Sequence, residues 1–139
     1  MSIFDELSVS FENPATDAMG YDVVEGQLLC RSDELVLQFK QKDRAFRKNP
    51  IQSVAFSYSE IEGVEFHGGW FKPKRLVLRT DSPEKLSGFP GAGVGSVELF
   101  VQPESVPGAK KVFGIVDFRK SENRLAASEA RLNDRSEKS

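Results

Sequence analysis

Apolar and polar residues alternate with a period of two through the middle of the chain. This is the pattern of strands that keep one face in a core and the other in water. Leu35, Leu37 and Phe39 alternate with Val36, Gln38 and Lys40, and Val54, Phe56 and Tyr58 alternate with Ala55 and Ser57. Val64 and Phe66 alternate with Glu65 and His67, and Leu76 and Leu78 with Arg75, Val77 and Arg79. Val97, Leu99 and Val101 alternate with Glu98, Phe100 and Gln102. A shorter strand, Gln27 to Arg31, precedes Ser32-Asp33-Glu34, whose short polar side chains suit a tight hairpin. About six strands with mostly short connections predict a meandering barrel or sandwich.

Two connections are longer. Arg44 to Pro50 is basic and ends in Asn49-Pro50, a turn signal. Asp81 to Gly95 opens with Ser82-Pro83-Glu84, a helix start, and predicts one helical turn followed by a glycine-rich loop. After Pro103 the period changes. Ser105 is a candidate N-cap, and Ala109, Val112, Phe113 and Val116 fall on one helical stripe, although Lys111 to Phe118 also reads as a strand. Ser121 onward favours helix, with a frayed end. At the other end, Val9-Ser10-Phe11 can pair with the sheet, and Asn13 to Gly20 reads as a turn or short helix.

Composition narrows the function classes. At 139 residues the chain is most simply one domain, and eleven phenylalanines supply large core pieces. A net charge of −2 provides no global field for nucleic acid or an anionic bilayer, so such binding would rest on a local patch. The carboxylates Glu60, Glu62 and Glu65 argue further against nucleic acid. One cysteine, Cys30, excludes an intramolecular disulfide and fits a reducing compartment. The acidic segment Met1 to Leu7 is unlike a secretory signal, and no run approaches the ~20 apolar residues of a membrane span. The expected location is cytoplasmic.

Strands followed by one C-terminal helix form the outline of a pleckstrin-homology-like barrel. Glu34-Leu35-Val36-Leu37-Gln38-Phe39-Lys40-Gln41-Lys42-Asp43, followed by Ser57-Tyr58-Ser59-Glu60-Ile61-Glu62-Gly63-Val64-Glu65, resembles bacterial pleckstrin-homology-like and GRAM-like domains. There a strand pair leads into a Y-S-E-I-x-x-V turn. The likeness spans roughly Glu25 to Ser121. It implies a mainly β fold: a barrel or a sandwich of two antiparallel sheets, capped by a C-terminal α-helix. Residues 1–20 would be an N-terminal extension partly packed on the sheet, 21–120 the domain, and 121–139 a helical continuation and polar tail. The resemblance also implies a non-enzymatic module that binds peptides, lipids or further copies of itself. Phosphoinositide-binding members carry a basic cluster across the first two strands. Here Cys30-Arg31-Ser32-Asp33-Glu34 sets one cation against two carboxylates, which argues against that ligand.

The candidate interaction surface is the Gly68 to Arg75 connection. Trp70 and Phe71 stand there beside Lys72, Lys74 and Arg75, a grouping that could wedge into a headgroup layer or cap a partner. Large aromatics are more often buried, so the favoured expectation is that Trp70 or Phe71 folds back over an open barrel end. A second basic group comprises Lys42, Arg44, Arg47 and Lys48, and such runs are usually solvated faces. Pooled at one end of the barrel, the two groups would give weak, salt-sensitive adhesion to an anionic leaflet.

The remaining chemistry is sparse. His67 reads as a surface histidine, since acid–base work needs a positioned partner and a zinc site needs further ligands. Cys30, inside an apolar strand, reads as a buried, inert thiol. Gly91-Ala92-Gly93-Val94-Gly95 precedes a strand rather than a helix, which removes the phosphate-loop geometry. Glu60, Glu62, Glu65, Asp81 and Glu84 show no metal-loop spacing. No catalytic residue, metal or cofactor is therefore assigned. The expected function is a non-catalytic interaction domain that self-associates through open sheet edges, or binds another protein. The alternative is a peripheral membrane adaptor using the Trp70 loop.

Overall fold

The computed structural model describes residues 7–15, 23–42 and 50–137. The expectations for Met1 to Leu7, Asn13 to Gly20 and Arg44 to Pro50 lie wholly or partly outside them. Seven strands and one long helix follow in order: β1 (Leu7–Asn13), β2 (Val24–Cys30), β3 (Glu34–Gln41), β4 (Gln52–Ser57), β5 (Ile61–His67), β6 (Arg75–Thr80), β7 (Ser96–Phe100) and α1 (Val106–Glu137). The first four form one antiparallel sheet and the last three another, each a simple meander. The fold is mainly β: a sandwich of two sheets, not closed into a barrel, with a C-terminal helix.

Period-two patterning places the core. Val9, Phe11, Leu28, Cys30, Leu35, Leu37, Phe39 and Phe56 face inward from the first sheet. They meet Ile61, Val64, Leu76, Leu78, Val97 and Leu99 from the second. Val9-Ser10-Phe11 belongs to a full strand, since β1 pairs with β2 from Leu7↔Cys30 to Asn13↔Val24. Lys111 to Phe118 is helical, and Ala109, Val112 and Val116 are buried as the stripe predicts. Phe113, expected with them, is 62% exposed. Adjacent helical positions stand about 100° apart, so the face that buries Val112 turns its neighbour outward. Ser105 lies in a 3₁₀ turn before the helix, and its hydroxyl accepts the Ser10 N–H at 2.9 Å.

The segment 81–95 does more than connect. Pro83–Leu86 makes the expected single turn. Leu86 and Phe89 then enter the core, where the Phe89 ring lies 4.7 Å from Phe39 and 6.1 Å from Phe11. Gly91 and Gly95 take positive φ of 81° and 71°, which lets the chain reverse into β7.

The chain crosses between sheets at Tyr58–Glu60, a 3₁₀ turn. The Tyr58 hydroxyl donates to the Arg31 carbonyl at 2.6 Å, pinning the corner to the β2–β3 hairpin. The Glu60 carboxylate accepts from Lys85 Nζ (2.7 Å), Ser82 Oγ (2.7 Å) and the Ser57 amide (2.9 Å). Its carbonyl accepts from Thr80 Oγ1 at 2.8 Å and the Asp81 amide at 3.0 Å.

Each sheet edge receives contacts from within the chain. β1 and β7 meet through a Phe11↔Val101 bridge and a Gln102 N–H bonded to the Ser10 carbonyl at 2.9 Å. The Asn13 amide donates to the Glu98 carbonyl (2.7 Å) and accepts the Phe100 N–H (2.8 Å). On β4, Lys85 Nζ donates to the Ala55 carbonyl at 2.9 Å. α1 packs along β5, where Lys120 Nζ donates to the Ile61 carbonyl. A strand edge is a row of main-chain donors and acceptors, and on β4 and β5 a lysine takes one carbonyl each.

Two outcomes test this account. Gly26 sits between Phe11 and Phe39 in cross-strand register, and a Cβ there would overlap the Gln38 carbonyl. Gly26→Ala should cost roughly 3 kcal/mol or more in denaturant unfolding, an overpacking effect on rigid backbone. Hydrogen bonds from Lys85, Ser82 and Ser57 hold the Glu60 carboxyl at about 2, against an ordinary 4.5. A depressed carboxyl stabilises the fold fully above 4.5, and that stability is lost as pH falls from 4.5 towards 2. Glu60→Gln should lower the melting temperature at neutral pH and flatten the decline across that window. Identical acid slopes in both proteins would count against the corner.

Candidate interaction surface

β5 ends at His67 and β6 begins at Arg75, leaving Gly68 to Lys74 as a long hairpin tip. The connection is organised by its own backbone and one lysine. Lys74 Nζ donates to the Gly69 carbonyl at 2.9 Å, and its aliphatic stem lies across Gly68, where a Cβ would collide with it. The Lys74 carbonyl in turn accepts the Val101 N–H at 2.9 Å, which ties the base of the tip to the end of β7. With both ends held, the central residues project.

Trp70 is 94% exposed and Phe71 97% exposed, with ring centroids 6.4 Å apart. The expected return of one ring over an open barrel end does not occur. Both rings instead stand clear of the groove beside the base of the tip, which Pro73, Phe100, Val101, Pro103 and Val106 help to line. Lys72 and Pro73 are also exposed. Arg75 pairs with Glu98 across the sheet at 3.1 Å, and Lys74 is turned onto Gly69. The apex is thus two adjacent aromatic rings, with Lys72 beside them and two further cations at the base.

Of the second basic group only Lys42 is described, and its partner Glu12 lines one groove with Lys72, Pro73 and Lys74 at the base of this tip. Lys42 pairs with Glu12 at 3.5 Å, while Arg44, Arg47 and Lys48 lie outside the described residues.

The other candidates are accounted for by the fold. Cys30 is buried, and desolvation pushes its thiol up to about 12, far from a thiolate at neutral pH. Burial likewise raises Tyr58. His67 is on the surface, with Nε2 2.9 Å from Glu65 Oε2. Glu65 also accepts from Arg79, and the hydrogen bonds from Arg79 and His67 hold its carboxyl below the ordinary range. This trio lies on the exposed face of the three-stranded sheet. Among the described residues no group of three or more acidic, histidine or cysteine side chains could hold a metal ion. Among them, too, no helix is long and apolar enough to cross a membrane. Neither a protein-family model nor a curated protein matches this chain.

The sole tryptophan makes the tip directly observable. Its fluorescence should peak where free indole emits in water, and acrylamide should quench it nearly as well as it quenches the free amino acid. Trp70→Ser with Phe71→Ser should leave the unfolding free energy within about 0.5 kcal/mol, because neither ring packs on the body. A blue-shifted, protected emission would place Trp70 against protein instead.

Proposed function

We propose that this chain is a non-catalytic interaction domain of the pleckstrin-homology-like type, attaching to an anionic membrane surface through the tip of its β5–β6 hairpin. The observation that carries the reading is the near-complete exposure of Trp70 and Phe71 at an apex built to hold them outward. Four strands, then three, then a helix support the family assignment. The Y-S-E-I-x-x-V residues supply the corner between sheets, a structural role that fits the likeness on which the assignment rests.

Charge favours a lipid surface over a second copy of the same tip. Lys72, Lys74 and Arg75 would face their own equivalents in a symmetric contact, whereas an anionic leaflet attracts them. Each cation near such a leaflet contributes about 1 kcal/mol, and each aromatic ring about 1.5–3 kcal/mol if fully withdrawn from water. Partial insertion of both rings with Lys72 and Lys74 gives roughly 5 kcal/mol, a dissociation constant on the order of 0.1–1 mM. A single tip therefore adheres weakly and reversibly, and salt loosens it.

Co-sedimentation with phosphatidylcholine vesicles, with and without phosphatidylserine, tests this. Binding should need the anionic lipid, weaken with salt, and shift Trp70 emission to the blue. Trp70→Ser with Phe71→Ser should abolish it, and Lys72→Ala should weaken it about fivefold. Equal sedimentation of the double variant and the parent protein would sink the proposal.

A further inference from the structure

The helix α1 is 32 residues long, about 48 Å at the usual rise, and among its described side chains the buried ones all lie in the first half. Ala109, Val112 and Val116 are buried against the sheets, and Lys120 still reaches the Ile61 carbonyl. Beyond that, residues 122–126, 128 and 129 are all exposed. A helix projecting this far without tertiary contacts is marginal by itself, since most helical stability in proteins comes from packing.

The projecting part is not uniformly polar. Phe118 is 51% exposed and Leu125 64% exposed. They are seven residues apart, so they share a face to within about 20°. Phe118 lies two residues, about 200°, from the buried Val116, which puts that face opposite the sheets. In the sequence Leu132 continues the spacing, and Ser121 and Ser128 occupy the intervening positions three residues on. In heptad terms Phe118, Leu125 and Leu132 are a positions, and Ser121 and Ser128 are d positions. Small d residues permit close approach of a second helix.

We infer that α1 pairs with α1 of a second copy of this chain, parallel and in register, along the Phe118–Leu125 face. Charge complementarity selects both the occupant and its direction. Arg124 is then a g position and Glu129 the following e position. A parallel copy sets Arg124 of each helix against Glu129 of the other, giving two reciprocal pairs. The antiparallel alternative centred on Leu125 sets Arg124 against Arg124 and Glu122 against Glu129. In the parallel register Glu122 approaches Asp117 of the second copy, but Arg119 of its own helix already binds it at 2.9 Å. This pairing is independent of the lipid reading and uses a different surface.

Sedimentation equilibrium of the full chain over a concentration series should show a monomer–dimer equilibrium. Leu125→Glu should raise the dissociation constant at least about tenfold, while the melting transition of the sheets stays unchanged. Arg124→Glu and Glu129→Arg should each weaken the dimer, and the double exchange should restore it. Ser128→Cys should form an intermolecular disulfide on mild oxidation, because equivalent d positions adjoin only in a parallel pair. Cys30 is buried and should stay out of that reaction. A chain monomeric at every concentration, or a dimer indifferent to Leu125→Glu, would overturn the pairing. Failure of the double exchange to restore the dimer, or of Ser128→Cys to cross-link, would overturn its parallel register.

Discussion

Two sheets can share one core only if the chain turns sharply between them, and in this protein the turn rests on Glu60. Between β4 and β5 the strand pattern must stop, reverse its exposure and begin again within three residues. Tyr58 does this by filling core volume while its hydroxyl satisfies the Arg31 carbonyl. Glu60 does it by gathering three donors from two segments, Ser57 before the turn and Ser82 and Lys85 after β6. The last two belong to the 81–95 connection, so the same carboxylate also positions the segment that delivers Leu86 and Phe89 to the core. A charged acceptor is suited to this role, because hydrogen bonds to an ionised group are shorter and stronger than neutral ones.

The remaining surface follows from that arrangement. With Lys74 bonded to Gly69 and its carbonyl tied to Val101, the β5–β6 tip is held at its base and its aromatics stay in water. β1 is tied to β7 through Asn13 and Gln102, and a lysine takes one carbonyl each on β4 and β5. Among the exposed apolar side chains of the described residues are the ring pair at the apex and the Phe118–Leu125 stripe of the helix. The two proposals assign these to a lipid surface and a second copy respectively. They reinforce each other physically, since two weakly adhesive tips on one particle bind far better than either alone.

Much of the architecture was legible in the alternation of residues. Strand positions, the inward set of side chains and the change to a helical period after Pro103 all follow from burial of one face. The 81–95 segment was harder, because Leu86 and Phe89 lie in a stretch dense in glycine and proline, and nothing local says that such a loop packs inward. Phe113 was misjudged for a related reason. A stripe of four apolar positions is wider than the contact α1 makes, and only the seating of the helix decides which edge of the stripe is wet. The Asn13 amide and Ser105 hydroxyl could not be assigned, since their partners lie 85 to 95 residues away.

By itself the sequence determined the class of fold and the chemistry on offer: half-buried antiparallel strands, a terminal helix, one thiol, one histidine and one tryptophan among cations. Those features depend on local period and composition, which a linear chain displays openly. The tertiary structure decided what each did. Whether Trp70 is core or surface turns on how the base of its hairpin is held against the end of β7. Whether an edge strand is open turns on a lysine or an asparagine arriving from a distant segment. Both are questions of long-range contact, so only the packed molecule answers them.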